Sequence, residues 1–281
     1  MDAAASRAVW AAGVIFMAGT LGACGGGAGS TRPNPSAPAP TSATAPASTP
    51  GSAAAPPTSS TRVLGQADLE RAVVGPKDVP GWDTGTLVGR GGDGLRIGQS
   101  IPDVSRFPKP RPAACGPLNS AAGMVGDRQY HALVEQTVSR SSAKDPEGEQ
   151  TVTMSLTAYS AADAPRVMAD LRTSLRTCTS FRTPLEPDMG YSDPRPLAEP
   201  KLGDDAVSYR ITQSNPSVDR SGNDDGGPRV DAHFHYVVVR CGTGIAVFSA
   251  MAFPQDTRPP QVPMDLVAAQ VDKLRKVVTG R

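Results

Sequence analysis

The clearest pattern in the chain is strict alternation. In Thr151-Val152-Thr153-Met154-Ser155-Leu156-Thr157-Ala158-Tyr159, the apolar Val152, Met154, Leu156 and Ala158 share one face of an extended segment, and mostly hydroxyl residues take the other. Period two of this kind predicts a half-buried strand. Residues 130–140 are predicted as its antiparallel partner, because residues 141–149 between them are polar and turn-like. Further strands are predicted at 206–212, 230–240 and 245–252. The last two are joined by Cys241-Gly242-Thr243-Gly244, a tight hairpin signal. Residues 213–228, rich in Asn, Asp and Gly, are expected to form a long mobile loop.

Helical spacing follows the alternating strand. Ser160-Ala161-Ala162-Asp163 resembles a capping box. After it, Ala164, Val167, Met168, Leu171, Leu175 and Cys178 repeat as one apolar stripe. A C-terminal helix is predicted over 263–279, with Val267, Val271, Leu274 and Val278 on one face. Short helices are predicted at 67–74 and 115–122. Together these predict an α+β fold: a twisted antiparallel sheet of about five strands with helices packed on one face.

The N-terminal quarter reads differently. A short polar stretch with one basic residue, Arg7, precedes an apolar run of about 14 residues, from Ala8 to Leu21. A membrane-spanning helix needs about 20. The run instead predicts a signal peptide over residues 1–23. It ends in Leu21-Gly22-Ala23-Cys24, which resembles the lipobox of bacterial lipoproteins. That resemblance implies that the Cys24 thiol receives lipid, that cleavage leaves Cys24 first, and that the chain is tethered to the extracytoplasmic face of the cell membrane. Several acyl chains anchor stably where one does not. Residues 24–62 are almost all Gly, Ala, Pro, Ser and Thr, too poor in apolar side chains to offset ordering entropy, so a disordered linker is expected. Residues 63–281 are long enough for one sizeable core. Lys and Arg number 28 against 27 Asp and Glu, so neither a nucleic-acid face nor a polybasic membrane patch is indicated.

Beyond Cys24 the cysteines are Cys115, Cys178 and Cys241. An exported domain can oxidise them, and an odd number leaves one unpaired. All three pairings are open from the residues. The expectation carried forward is Cys115–Cys178, which ties a short helix to the end of the central one and leaves Cys241 as a buried thiol.

The order of these elements resembles the PknH-like extracellular sensor domain of actinobacterial kinases and lipoproteins. The residues carrying the resemblance are Asp68-Leu69-Glu70-Arg71-Ala72-Val73-Val74, Val79-Pro80-Gly81-Trp82 and Cys115-Gly116-Pro117-Leu118, followed by the strand–helix unit from Val152 to Cys178 and the late strand pair. The resemblance covers residues 63–281. It implies a twisted antiparallel sheet with helices on one side and a cleft, pinned by two disulfides, of which this chain can form one. It also implies binding of an unidentified extracellular ligand.

Candidate chemistry is sparse. Asp231, His233 and His235 alternate along one predicted strand and so share a face, where two imidazoles and a carboxylate could ligate a metal. A solvated polar face is the plainer expectation. Trp82, after a Pro-Gly turn, could line a ligand groove or close a core edge. Gly89-Arg90-Gly91-Gly92-Asp93-Gly94 has dinucleotide-loop spacing, but no helix-forming run follows it. Ser141-Ser142-Ala143-Lys144 has the S-x-x-K spacing but sits in a predicted hairpin, and no K-T-G follows. Asp219, Ser221, Asn223, Asp224 and Asp225 faintly resemble a calcium loop, yet Asp224 stands where Gly is required. No cofactor is expected. The reading is a non-enzymatic, lipid-anchored, extracytoplasmic binding or sensor-like domain for an unidentified envelope ligand or protein. The alternatives are a scaffold for a membrane protein and an unrecognised envelope hydrolase.

Overall fold

The computed structural model describes residues 62–280 apart from 85–95, 98–102, 120–127, 143–144, 185, 220, 222, 253, 255 and 257. The signal segment, Cys24, the linker up to Thr61 and the glycine loop 89–94 therefore lie outside the described residues, as do Ala143 and Lys144 of the S-x-x-K spacing. Among the described residues, no helix is long and apolar enough to cross a membrane.

Helix α1 spans Gln66–Ala72. Strand β1 is Arg96–Ile97, and a 3₁₀ helix covers Ala113–Leu118. The alternating pair becomes β2, Ala132–Ser142, and β3, Asp145–Ala158. Helix α2, Asp163–Thr177, carries the predicted stripe. Its first turn is held by Ser160, whose Oγ accepts from the Asp163 N–H at 3.1 Å and donates to the Asp163 carboxylate at 2.6 Å. β4 is Ser180–Thr183, β5 Glu186–Pro196, β6 Asp205–Asn215, β7 Val230–Cys241 and β8 Gly244–Ala252. Helix α3, Met264–Thr279, ends on Gly280 at φ 70°, a left-handed stop suited to glycine.

The strands form one antiparallel sheet in the order β1-β2-β3-β8-β7-β6-β5-β4. The α+β class and the five predicted strands are present, but two expectations are corrected. Among the described residues the sheet has eight strands rather than about five. β5 escaped notice because Glu186–Pro196 holds three prolines, a glycine and two aspartates, all disfavoured in strands.

Helices also cover both faces of the sheet, not one. Leu69 and Ala72 of α1 pack with Leu266, Val267, Val271 and Leu274 of α3 against Val134, Met154, Val237, Val239, Ala246 and Phe248. On the opposite face, Val167, Met168 and Leu171 of α2 pack with Cys115 and Leu118 against Val207, Tyr209, Val238, Ile245 and Val247. Consecutive Tyr236–Val239 and Ile245–Phe248 are buried because their alternate side chains enter two different cores. Cys115 and Cys178 are disulfide-bonded, fastening the 3₁₀ helix to the end of α2, and Cys241 is a buried free thiol.

The α1/α3 face is covered only in part. The α3-side core uses Ala206 of β6, Val237, Val239 and Cys241 of β7, and Ala246, Phe248 and Ala250 of β8. Towards the other ends of β6, β7 and β8 the same face is left to a groove.

Candidate functional site

The groove has a volume of about 430 Å³. Its floor takes Arg195 from β5, Arg210 and Thr212 from β6, and His233 from β7. Its wall is the proline-rich stretch before α3, through Pro254, Asp256, Arg258, Pro259 and Pro260. Prolines lack the N–H that a ladder needs, so this stretch cannot extend the sheet and instead runs over it. One contact pins it: the Val262 N–H donates to His235 Nδ1 at 3.0 Å.

Strand register aligns the floor. Arg195 stands opposite Arg210, and Arg210 opposite His235. The next row is Ser192, Thr212, His233 and Ala252. A bulge between Ser192 and Arg195 re-aims β5. Within it Asp193 has φ 55°, and its carboxylate accepts from Arg195 Nε at 2.7 Å. Among the described residues, Arg210 has neither an ion pair nor a side-chain hydrogen bond. Thr212 Oγ1 lies 3.1 Å from His233 Nδ1.

His235 is the buried end of the basic row. A backbone N–H can only donate, so Nδ1 is the unprotonated nitrogen, and Nε2 carries the hydrogen toward Ser208 Oγ at 2.9 Å. Burial, reinforced by the Arg210 charge, lowers its pKa to about 4, so the ring is neutral. This geometry bears on the hydrolase alternative. A general base toward Ser208 needs a free lone pair on Nε2, and that atom holds the proton. The contact is structural.

The sequence-predicted metal set does not assemble. Asp231, His233 and His235 do share a face, but both ring nitrogens of His235 are committed, and His233 already bonds Thr212. No group of three His, Cys, Asp or Glu side chains able to hold a metal occurs among the described residues. Only His233 of the three lines the groove. Trp82 does not: it is 5% exposed in the α1/α3 core, with the Arg140 guanidinium 4.6 Å above its ring. It closes the core edge. Burial pushes the Cys241 thiol up to about 12, which removes it as a nucleophile. In the loop after β6, the Asp219, Asp224 and Asp225 carboxylates accept from backbone N–H groups of Ser221 and Asn223, Gly226, and Gly227. They stabilise turns there.

Sequence reasoning missed Arg195, Arg210 and Arg258. One signal was available for Arg210: period two along Ser208, Arg210 and Thr212 sets a charge on a polar face of an otherwise apolar strand. Nothing local could align it with Arg195.

No family model matches the chain, and no curated protein matches it. Among solved structures, it is similar to the extracellular domain of PknH from Mycobacterium tuberculosis, with 8% identity and a TM-score of 0.42, over 79% of this chain and 100% of that one. It is also similar to LpqN, involved in cell envelope biogenesis of the same organism, with 14% identity and a TM-score of 0.22, over 49% of this chain and 68% of that one.

Proposed function

We propose that this protein is a lipid-anchored extracytoplasmic lipoprotein whose folded domain binds a ligand without transforming it. The groove carries this reading: side chains from β5, β6, β7 and the stretch before α3 converge on a concavity of about 430 Å³, a size suited to a small ligand. Beside it, the buried Ser208–His235 contact holds its proton on the wrong nitrogen for a nucleophile–base pair. The anchor rests on Cys24 and the apolar run before it. The Asp68–Val74, Val79–Trp82 and Cys115–Leu118 stretches, which resemble the PknH-like sensor domain, agree with an outward-facing binding role.

Two measurements test this reading. Growth with a labelled fatty acid should label the wild-type chain and not Cys24→Ser; equal labelling of both would remove the anchor. A thermal-shift screen of the full-length protein against envelope glycans, lipids and peptidoglycan fragments should raise its melting temperature with at least one class. A flat response across all classes would sink the ligand-binding reading.

A further inference from the structure

Resting on that reading of the groove, we propose that its ligand carries an oxyanion, a phosphate or a carboxylate, gripped between Arg195 and Arg210. The strongest reason is the row itself. Arg195 and Arg210 are direct cross-strand partners, and like charges facing each other on a sheet are destabilising. Arg210 is exposed and makes neither an ion pair nor a side-chain hydrogen bond among the described residues. An acidic group would relieve the repulsion; Asp193 on the floor is spent on Arg195 Nε at 2.7 Å, and Asp256 on the wall makes no ion pair with Arg210.

Asp193 adds a second observation. It is the one non-glycine residue with positive φ among the described residues, at 55°, and it sits inside the β5 bulge. Backbone conformations of this kind persist where the surroundings hold them, and they collect at ligand clamps. Here the strained residue braces the guanidinium at Nε and leaves its terminal nitrogens free to meet a ligand. A guanidinium offers a planar fork that matches two oxygens of a phosphate or carboxylate, and two such cations lining one concavity focus their field on it.

The remainder of the groove describes the rest of the ligand. In the row above Arg210, Thr212 and His233 add a hydroxyl and an imidazole. Ala252 and the prolines Pro254, Pro259 and Pro260 add apolar surface. The site therefore suits an anionic head on a partly apolar body. Phosphate chemistry of that sort comes either from a soluble phosphate ester or from an anionic phospholipid headgroup.

The test is titration calorimetry of the full-length protein with inorganic phosphate, glycerol 3-phosphate and acetate. Flotation with phosphatidylglycerol vesicles and with neutral phosphatidylcholine vesicles runs in parallel. At least one anion should bind, with affinity that falls as salt rises, and Arg210→Ala should weaken it about tenfold or more. Arg210→Lys, which keeps the charge and loses the fork, should fall between. The Arg210→Ala melting temperature should stay level or rise, since the side chain is exposed and repelled. Binding of the soluble esters assigns the site to a free phosphate. Flotation with anionic vesicles alone, lost in Arg210→Ala, assigns it to a headgroup. Absence of all anion binding, or equal binding by Arg210→Ala, overturns the proposal. A neutral glycan that raises the melting temperature of wild type and Arg210→Ala alike would overturn it too, while leaving the groove's ligand-binding role standing.

Discussion

Breaking the Cys115–Cys178 bond tests how far one cross-link supports this domain. The two residues are 63 apart in sequence, and the loop they close contains β2, β3 and all of α2. For a loop of that length, chain-entropy reasoning gives about 4 kcal/mol of stabilisation through the unfolded state. On reduction the folded state offsets part of that by gaining local freedom, and the contacts that keep the 3₁₀ helix docked limit the offset. Ser174 Oγ donates to the Ala114 carbonyl at 2.6 Å, and Leu118 is buried against the α2 side of the sheet. The expected loss is therefore about 3 kcal/mol, which for a domain of this size lowers the melting temperature by about 6 to 12 °C. Calorimetry of the full-length protein with and without reductant, alongside a Cys115→Ala/Cys178→Ala variant, measures it. Alkylation mapped by mass spectrometry supplies the control. In unfolded, unreduced protein Cys241 should be alkylated, and Cys115 and Cys178 should not. An unchanged midpoint after both sulfurs are shown to be reduced would refute the entropic argument. Alkylation of Cys115 without reductant would refute the bond.

Gln270 of α3 is fully buried; its Nε2 donates to the Ala72 carbonyl at 2.7 Å, and its Oε1 accepts from the Val74 N–H at 3.0 Å. Gln270→Leu strands both backbone groups and should cost about 2 to 4 kcal/mol in urea unfolding; a near-neutral result would show that the α1–α3 contact does not depend on them. Gly203 has φ 66°, and a Cβ there would press into the Arg240 carbonyl oxygen and a Val239 methyl. Gly203→Ala should therefore destabilise by about 3 kcal/mol, read by the same unfolding curves. His235 has its folded pKa lowered to about 4 from 6.5, so the unfolded chain takes up the proton first as pH falls. Stability should be complete above pH 6.5 and drop by about 2 kcal/mol on reaching about pH 4.5. His235→Gln should flatten that window, and an unaltered pH profile would remove His235 as its cause.

Much of this molecule was legible as local pattern. Val152, Met154, Leu156 and Ala158 announced β3, and Val167, Leu171 and Leu175 announced the buried side of α2, because pleat and helix periods are properties of a few consecutive residues. The Cys115–Cys178 pairing was one of three that the residues left open, and the fold brings those two sulfurs together. β5 stayed hidden because its prolines and Asp193 oppose strand formation locally, and only pairing with β6 on one side and β4 on the other holds it in the sheet. The run Tyr236–Val239 carried a usable sign of burial on both faces, yet a continuous apolar run does not say which elements cover it.

The groove depended on contacts between distant residues. Composition shows nearly balanced charge, and no motif links Arg195, Arg210 and His235. They meet because antiparallel register across β5, β6 and β7 sets them side by side. Periodicity assigns each residue to a face of its own strand, whereas register is set by which strands pair and where, through packing of two cores against opposite sides of one sheet.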